Sequence, residues 1–212
     1  MEHFYIKSSL IKVEEIINIF NKDSSEEELI KTSQAGNINA FEELVKRNQD
    51  MVFNTAFRLM GNYDDALDLA QETFIRSFKS IGTYENKSKF STWLYSITSN
   101  LSKNRWKSKQ IRNVNKTSSI SHTDYSDDEE GIVLISKAPD PREKASGKEK
   151  IKFLEDVLAE LPFEKKQVFV LRFIQGLSYE EIAQILACSI GTVKSKINRL
   201  REELKEQLKE YL

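Results

Sequence analysis

The sequence predicts an all-α protein made of two small helical domains joined by a flexible linker, and three observations predict it. Only 7 glycines and 3 prolines interrupt 212 residues, and good helix formers such as Lys, Glu, Leu and Gln are common. Apolar residues recur at three- and four-residue spacing through most of the chain, while strict alternation is hard to find. From about residue 110 to 147 that spacing stops: Ser, Thr, Asn and Asp dominate, and Pro139 and Pro141 bracket Asp140. The expected organisation is an N-terminal extension over 1–25, a first domain over 26–110, a linker over 111–147 and a second domain over 148–212.

The elements follow in order. Residues 1–25 hold a weak helical pattern through Ile6, Leu10, Val13, Ile17 and Phe20. Asp23-Ser24-Ser25 before Glu26, Glu27 and Glu28 reads as a cap with an acidic first turn. A long helix over about 39–60 should bury Phe41, Leu44, Val45, Val52, Ala56 and Phe57, with Gly61-Asn62 as its stop. Asp64 and Asp65 open the next, with Ala66, Ala70, Phe74 and Phe78 four residues apart on one face and Gly82 at its end. A fourth starts near Lys89. Phe90, Trp93, Leu94, Ile97 and Leu101 should face the core, leaving Thr92, Tyr95, Ser99, Lys103 and Trp106 on the outward side. After the linker, Ile151, Leu154, Leu158 and Leu161 give one amphipathic helix. Pro162 starts another, with Val168, Leu171 and Phe173 inward and Gly176 as the break. A short helix over 178–187 and a final one from Gly191-Thr192, with Val193, Ile197, Leu200, Leu204 and Leu208 inward, complete the chain.

Composition excludes several classes of function. Cys188 is the sole cysteine, so no intrachain disulfide forms. No apolar run nears the roughly 20 residues that cross a bilayer, and the N-terminus lacks a signal-peptide layout, so membrane insertion is not expected and the cytoplasm is the default compartment. His3 and His122 are far apart in weakly patterned segments, and neither a Gly-rich phosphate loop nor metal-ligand spacing occurs. No cofactor, no metal and no enzymatic activity are expected.

The net charge of -1 hides a sorting of charge into blocks. Lys79 to Lys116 carries 9 basic side chains against one acid, Glu85; Asp124 to Glu130 carries 5 acids and no base; Gly191 to Arg201 carries 4 bases and no acid. The last block belongs to LSYEEIAQILACSIGTVKSKINRLR, residues 177–201. There Ser178 and Glu181 can form a capping box ahead of a short helix, a turn and a second helix with an apolar stripe, which is the helix-turn-helix layout. Thr192, Lys194, Ser195, Lys196, Asn198 and Arg199 lie opposite or beside that stripe and are donors of the kind that reach base edges and phosphates. The first block mixes cations (Lys87, Lys89, Lys103, Arg105, Lys107, Lys109) with aromatics (Tyr84, Tyr95, Trp106) and with Asn100. Cations along a backbone and ring faces under bases are what single-stranded DNA needs. An acidic face, Asp65, Asp68, Gln71 and Glu72 with Arg76, reads by itself as plain solvated surface.

Taken in this order the pieces resemble the sigma-70 family of RNA polymerase sigma factors, in its compact extracytoplasmic-function group. AGNINAFEELV, DDALDLAQETFIRSF and KFSTWLYSITSNLSKNRW look like successive parts of region 2, the core domain; LPFEKKQVFVLRFIQGLSYEEIAQILACSIGTVKSKINRLREEL looks like region 4. The match covers roughly 26–110 and 147–210, with nothing like the intervening domain of larger sigma factors. The resemblance implies that Asp65, Asp68, Gln71 and Glu72 dock on core polymerase. It implies that Tyr84, Lys87, Lys89, Asn100, Lys103, Arg105 and Trp106 serve the −10 element as an opened strand, Tyr84 and Asn100 around an extruded base. It implies that the last helix reads the −35 element as duplex. Core RNA polymerase and promoter DNA are the implied partners; an inhibitory anti-sigma factor is common in the group, though no residue demonstrates one. Two departures stand out: Ala187 occupies a turn position often filled by Gly, and lysines replace many of the usual arginines. The competing reading is a stand-alone helix-turn-helix regulator binding a palindrome as a dimer; it leaves the Tyr84 to Lys109 stretch without a role.

Overall fold

The computed structural model describes residues 24–116 and 156–208. The expected helix before residue 25, the linker beyond residue 116 and the inward positions Ile151 and Leu154 lie outside the described residues. Every element among the described residues is helical. The N-terminal domain comprises α1 (Glu26–Gln34), α2 (Ile38–Met60), α3 (Tyr63–Ser80), a 3₁₀ turn (Ile81–Thr83) and α4 (Phe90–Lys116). In the C-terminal domain α5 (Phe163–Phe169) runs into a π-helical turn (Val170–Ile174), and α6 (Tyr179–Ile185) and α7 (Ile190–Leu208) follow.

Local sequence explains most boundaries. Ser25 and Glu28 cap α1 reciprocally, Glu28 N–H donating to Ser25 Oγ at 3.3 Å and Ser25 N–H to Glu28 Oε2 at 3.0 Å. Asn37 caps α2 through Ala40 N–H, and Gly61 closes it in the left-handed region at φ 80°. Asn62 then caps α3, accepting Asp65 N–H at 2.8 Å. Gln34 at the end of α1 donates to the carbonyls of Ile81 and Tyr84, at 3.0 and 2.8 Å, and pins the loop that leads into α4.

Leu29, Ile30, Leu44, Val52, Phe90 and Leu94 form the centre of the first domain, each at most 2% exposed; such side chains contribute about 1.5–3 kcal/mol apiece. Where α3 meets α4, Ala66 and Leu69 pack with Leu101, and a polar insert lies among them: Thr73 and Thr98, both fully buried with hydroxyls 3.4 Å apart. Each hydroxyl returns a hydrogen bond to its own helix, to Leu69 O and Leu94 O, so neither carries an unmet donor into the core. Phe78, expected inward with Phe74, keeps 44% of its surface exposed and packs only its ring against Phe41, centroids 5.0 Å apart.

The two domains share a core. Leu59 of α2 and Tyr95 of α4 sit in one buried cluster with Leu158, Phe163, Val168, Leu171, Ile182 and Val193. This corrects the expected outward face of α4: Thr92, Tyr95 and Ser99 are 2%, 5% and 1% exposed because the C-terminal helices cover them. Helix period located the face correctly, but a lone helix cannot say that a second domain lies on it. Helix α4 also extends past residue 110 to Lys116. Ile111, past the expected end, is 63% exposed, so propagation of an existing helix rather than burial carries it on. A third correction concerns Phe173, which is 40% exposed while Val168 and Leu171 are buried. The π turn, with Gln175 N–H donating to Val170 O at 2.9 Å, widens the helix and swings Phe173 outward beneath the Arg201 guanidinium, 5.8 Å from the ring centroid.

In the helix-turn-helix, Ala187 sits at φ 48°, the left-handed conformation that its Cβ disfavours. Ala187→Gly is expected to stabilise the protein by about 0.5–1 kcal/mol in urea unfolding; a lower midpoint would show that the turn is not strained.

Candidate nucleic-acid interface

Helix α6 starts on the capping box foreseen in the sequence, Glu181 N–H donating to Ser178 Oγ at 3.1 Å and Ser178 N–H to Glu181 Oε2 at 2.9 Å. Ser189 begins α7, its Oγ accepting Thr192 N–H at 3.1 Å. Val193, Ile197 and Leu200 point into the core, at most 1% exposed. The opposite side is open: Thr192, Lys194, Ser195, Asn198 and Arg199 are exposed, and Lys196 is half-buried. Thr192 Oγ1 lies 2.9 Å from Ser189 Oγ, so its hydroxyl is oriented by the turn. Five donors at the N-terminal end of a helix braced from behind by a second helix form a surface that fits a major groove.

The N-terminal cationic stretch is less open than its sequence implies. Tyr84 is 8% exposed and packs against Phe90 and Trp93, centroids 5.6 and 5.1 Å away, with its hydroxyl donating to Ser88 O. Burial pushes that phenol's pKa up. Tyr84 therefore frames the start of α4 rather than offering a free ring face. Asn100 is exposed seven residues beyond Trp93, about 10 Å along the helix axis. Lys87 pairs with Glu85.

Three other members of the set face the C-terminal domain. Lys89 Nζ lies 3.2 Å from Glu181 Oε1, Lys103 Nζ 3.9 Å from Glu164 Oε1, and Trp106 stacks on Phe163 at 5.3 Å. Glu164 also approaches Lys196 Nζ at 3.5 Å, so one carboxylate stands between lysines of α4 and α7. The Glu181 carboxyl is held below the usual range by the Ser178 amide hydrogen bond, against the opposing effect of burial and with help from Lys89.

Sequence reasoning missed two residues of this seam, Gln167 and Gln175. Gln167, 4% exposed, donates from Nε2 to Ser99 O at 3.0 Å and Ser99 Oγ at 2.8 Å. Gln175 Oε1 accepts the Tyr95 hydroxyl at 2.8 Å, and its Nε2 donates to Thr55 Oγ1 at 3.2 Å. The available signal was positional: Gln167 lies four residues from both Phe163 and Leu171, a polar side chain on an inward stripe.

The acidic face of α3 is split. Asp68 and Gln71 are exposed, whereas Asp65 and Glu72 are half-buried against cations of α4. Lys109 pairs with Asp65, and Arg105 Nη2 lies 2.9 Å from Glu72 Oε2. Burial raises the Asp65 carboxyl's pKa, but hydrogen bonds from Lys109 and Asn62 and the charges of Lys109 and Arg105 outweigh it and hold the group low. Among the described residues no group of His, Cys, Asp and Glu could hold a metal ion, and no helix is long and apolar enough to cross a membrane.

The comparisons with known proteins bear on both domains. Residues 44–111 match the family model for sigma-70 region 2, and residues 154–204 that for sigma-70 region 4. Over 190 residues the chain is 33% identical to the ECF RNA polymerase sigma factor SigW of Bacillus subtilis, covering 85% of this chain and 95% of the relative. Over 185 residues it is 34% identical to the ECF RNA polymerase sigma-E factor of Haemophilus influenzae, covering 87% and 95%. In fold it is similar to the sigma factor RpoE of Bartonella quintana, solved with the anti-sigma factor NepR, at 23% identity and TM-score 0.60 over 81% of this chain and 98% of that one. CnrH, solved with the cytosolic domain of CnrY, is similar at 21% identity and TM-score 0.59, over 85% of this chain and 95% of that one.

Replacing Gln167 with Ala removes two hydrogen bonds to Ser99, each worth about 0.5–1.5 kcal/mol to the closed arrangement. Fluorophores placed on exposed positions of α1 and α7 should report a wider separation in Gln167→Ala than in the parent chain. An unchanged distance would mean that the seam does not depend on this amide.

Proposed function

We propose, from the premise that this chain belongs to the sigma-70 family of RNA polymerase sigma factors and to its extracytoplasmic-function group, a division of labour between its helices. The chain binds core RNA polymerase and directs promoter-specific initiation of transcription, and the stand-alone regulator is not favoured. Helix α7 reads the −35 element as duplex through Thr192, Lys194, Ser195, Lys196, Asn198 and Arg199. The observation that carries this reading is the open polar face of α7, five of six side chains exposed behind a buried apolar stripe.

The start of α4 serves the −10 element as opened strand, with Lys87, Lys89, Asn100, Lys103 and Trp106 as contacts and Tyr84 as the frame that fixes the loop. An extruded base costs a few kcal/mol, and stacking of about 1–3 kcal/mol per base can offset it. Asp68, Gln71 and Glu72 of α3, with Asp65 at its N-terminus, form the docking face for polymerase. The chain itself does no chemistry; RNA synthesis belongs to the polymerase, and the cytoplasm, where polymerase and promoter meet, is its compartment. Two fold relatives were solved with partner proteins, one named as an anti-sigma factor, and a partner of that kind is extended to this chain as part of the proposal.

A geometric requirement follows. The −35 and −10 elements lie about 25 base pairs apart, on the order of 85 Å at roughly 3.4 Å per step, whereas α4 and α7 here are bridged by one glutamate. Promoter reading therefore requires the seam to open. The 39 residues from 117 to 155 have a contour length on the order of 130 Å, enough to allow it.

Two substitutions test the assignment. Arg199→Ala should reduce promoter binding by the holoenzyme by about 1–3 kcal/mol with relaxed specificity at one −35 position; an equal loss on every sequence would make Arg199 a phosphate anchor. Asp68→Lys, on an exposed position, should weaken core polymerase binding about tenfold, roughly 1.4 kcal/mol, without changing the helical circular dichroism. Normal holoenzyme assembly would remove α3 as the docking face.

A further inference from the structure

Arg105 entered the sequence reading as a DNA contact, one of the cations of the −10 set, but its guanidinium is committed elsewhere. Nη2 lies 2.9 Å from Glu72 Oε2, and Nη1 donates to the backbone carbonyl of Asp65 at 3.4 Å. Those two partners are seven residues apart, two turns of α3 or about 10 Å, so one side chain of α4 braces the whole acidic half of that helix. One turn later on α4, Lys109 pairs with the Asp65 carboxylate. The cations of α4 thus fall into two rows: Lys103 with Trp106 faces the C-terminal domain, while Arg105 with Lys109 faces α3.

Glu72 is held from both sides. Oε1 accepts from Arg76, Nε at 3.0 Å and Nη2 at 2.6 Å, and Oε2 accepts from Arg105. Arg76 leaves from the same helix and its side chain is 56% exposed; Arg105 comes from the neighbouring helix and is 28% exposed. A carboxylate tied only to Arg76 would move with a solvated, rotamer-rich side chain. Arg105 anchors it to a second helix, and fixing a side chain before association lowers the ordering cost of docking. These contacts form a groove between α3 and α4 lined by Asp65, Asp68, Glu72, Arg76, Arg105 and Lys109.

We propose that Arg105 is a positioning residue for polymerase docking: it orients the Glu72 carboxylate, and it does not contact the −10 strand. This rests on the reading of α3 as the docking face. Because α4 also carries the residues proposed to read the opened strand, Arg105 ties the two tasks to one joint.

The test is a double-mutant cycle on core polymerase affinity, using the full-length chain and the variants Glu72→Ala, Arg105→Ala, Arg105→Lys and Arg105→Ala with Glu72→Ala. Arg105→Ala should weaken binding about five- to tenfold. The double variant should bind no worse than Glu72→Ala alone, because Arg105 acts through Glu72, and Arg105→Lys should recover part of the loss and serves if the alanine variant folds poorly. A hydrogen bond from Arg105 is the largest influence holding the Glu72 carboxyl below its ordinary range. In Arg105→Ala the loss of core binding on acidification should therefore set in at higher pH than in the parent, a change that general loosening of the fold would not produce. Holoenzyme assembled with saturating Arg105→Ala should hold a −10 non-template oligonucleotide within about twofold of the parent. Additive losses in the cycle, or normal core affinity with lost oligonucleotide binding, would overturn the proposal. If Glu72→Ala itself leaves core affinity unchanged, the docking reading fails, and the proposal with it.

Discussion

Helix α4 is buried on two sides, and the rest of the structure depends on that. Phe90, Leu94 and Leu101 seat it on α2 and α3, while Thr92, Tyr95 and Ser99 seat the C-terminal helices on it. The first contact is apolar with a polar insert at Thr73 and Thr98; the second adds the amides of Gln167 and Gln175 to a shared apolar cluster. Polar seams of this kind close with direction but limited strength, since each hydrogen bond made was previously made to water. That suits an interface proposed to open when the chain joins polymerase.

Charge follows the same division. The sequence places nine cations between Lys79 and Lys116, and in the folded chain several are matched by an acid: Lys89 by Glu181, Lys103 by Glu164, Arg105 by Glu72 and Lys109 by Asp65. Exposed pairs such as Lys89 with Glu181 add little stability, typically about 0–1 kcal/mol. Their consequence is electrostatic: acids of the C-terminal domain lie against cations proposed to follow the DNA strand, so the closed chain presents α7 to DNA more freely than α4. Separation of the domains would release Lys89 and Lys103 together.

Much of this was legible in the sequence. Among the described residues, the helices of the first domain, the caps at Ser25 and Ser178, the stop at Gly61 and the open face of α7 follow from local chemistry, which acts within a few residues. The strained Ala187 was marked by the absence of Gly at a turn. What was not legible depends on distant pairings. Tyr95 and Ser99 lie on the side of α4 away from its own domain, and no local pattern says that α5 and its π turn cover them. Arg105 and Lys103, two residues apart, look alike in a charge count, yet about 200° of helix rotation sends one to α3 and the other toward Glu164. The exposure of Phe173 arises from a π turn, which leaves no mark in residue spacing.

The most direct measurement is run-off transcription with purified core polymerase and this chain over a library of promoters. Initiation should depend on adding the chain and be confined to templates that share one −35 and one −10 motif. Tight binding of the chain alone to a promoter duplex, with no transcription and no association with core polymerase, would contradict the account.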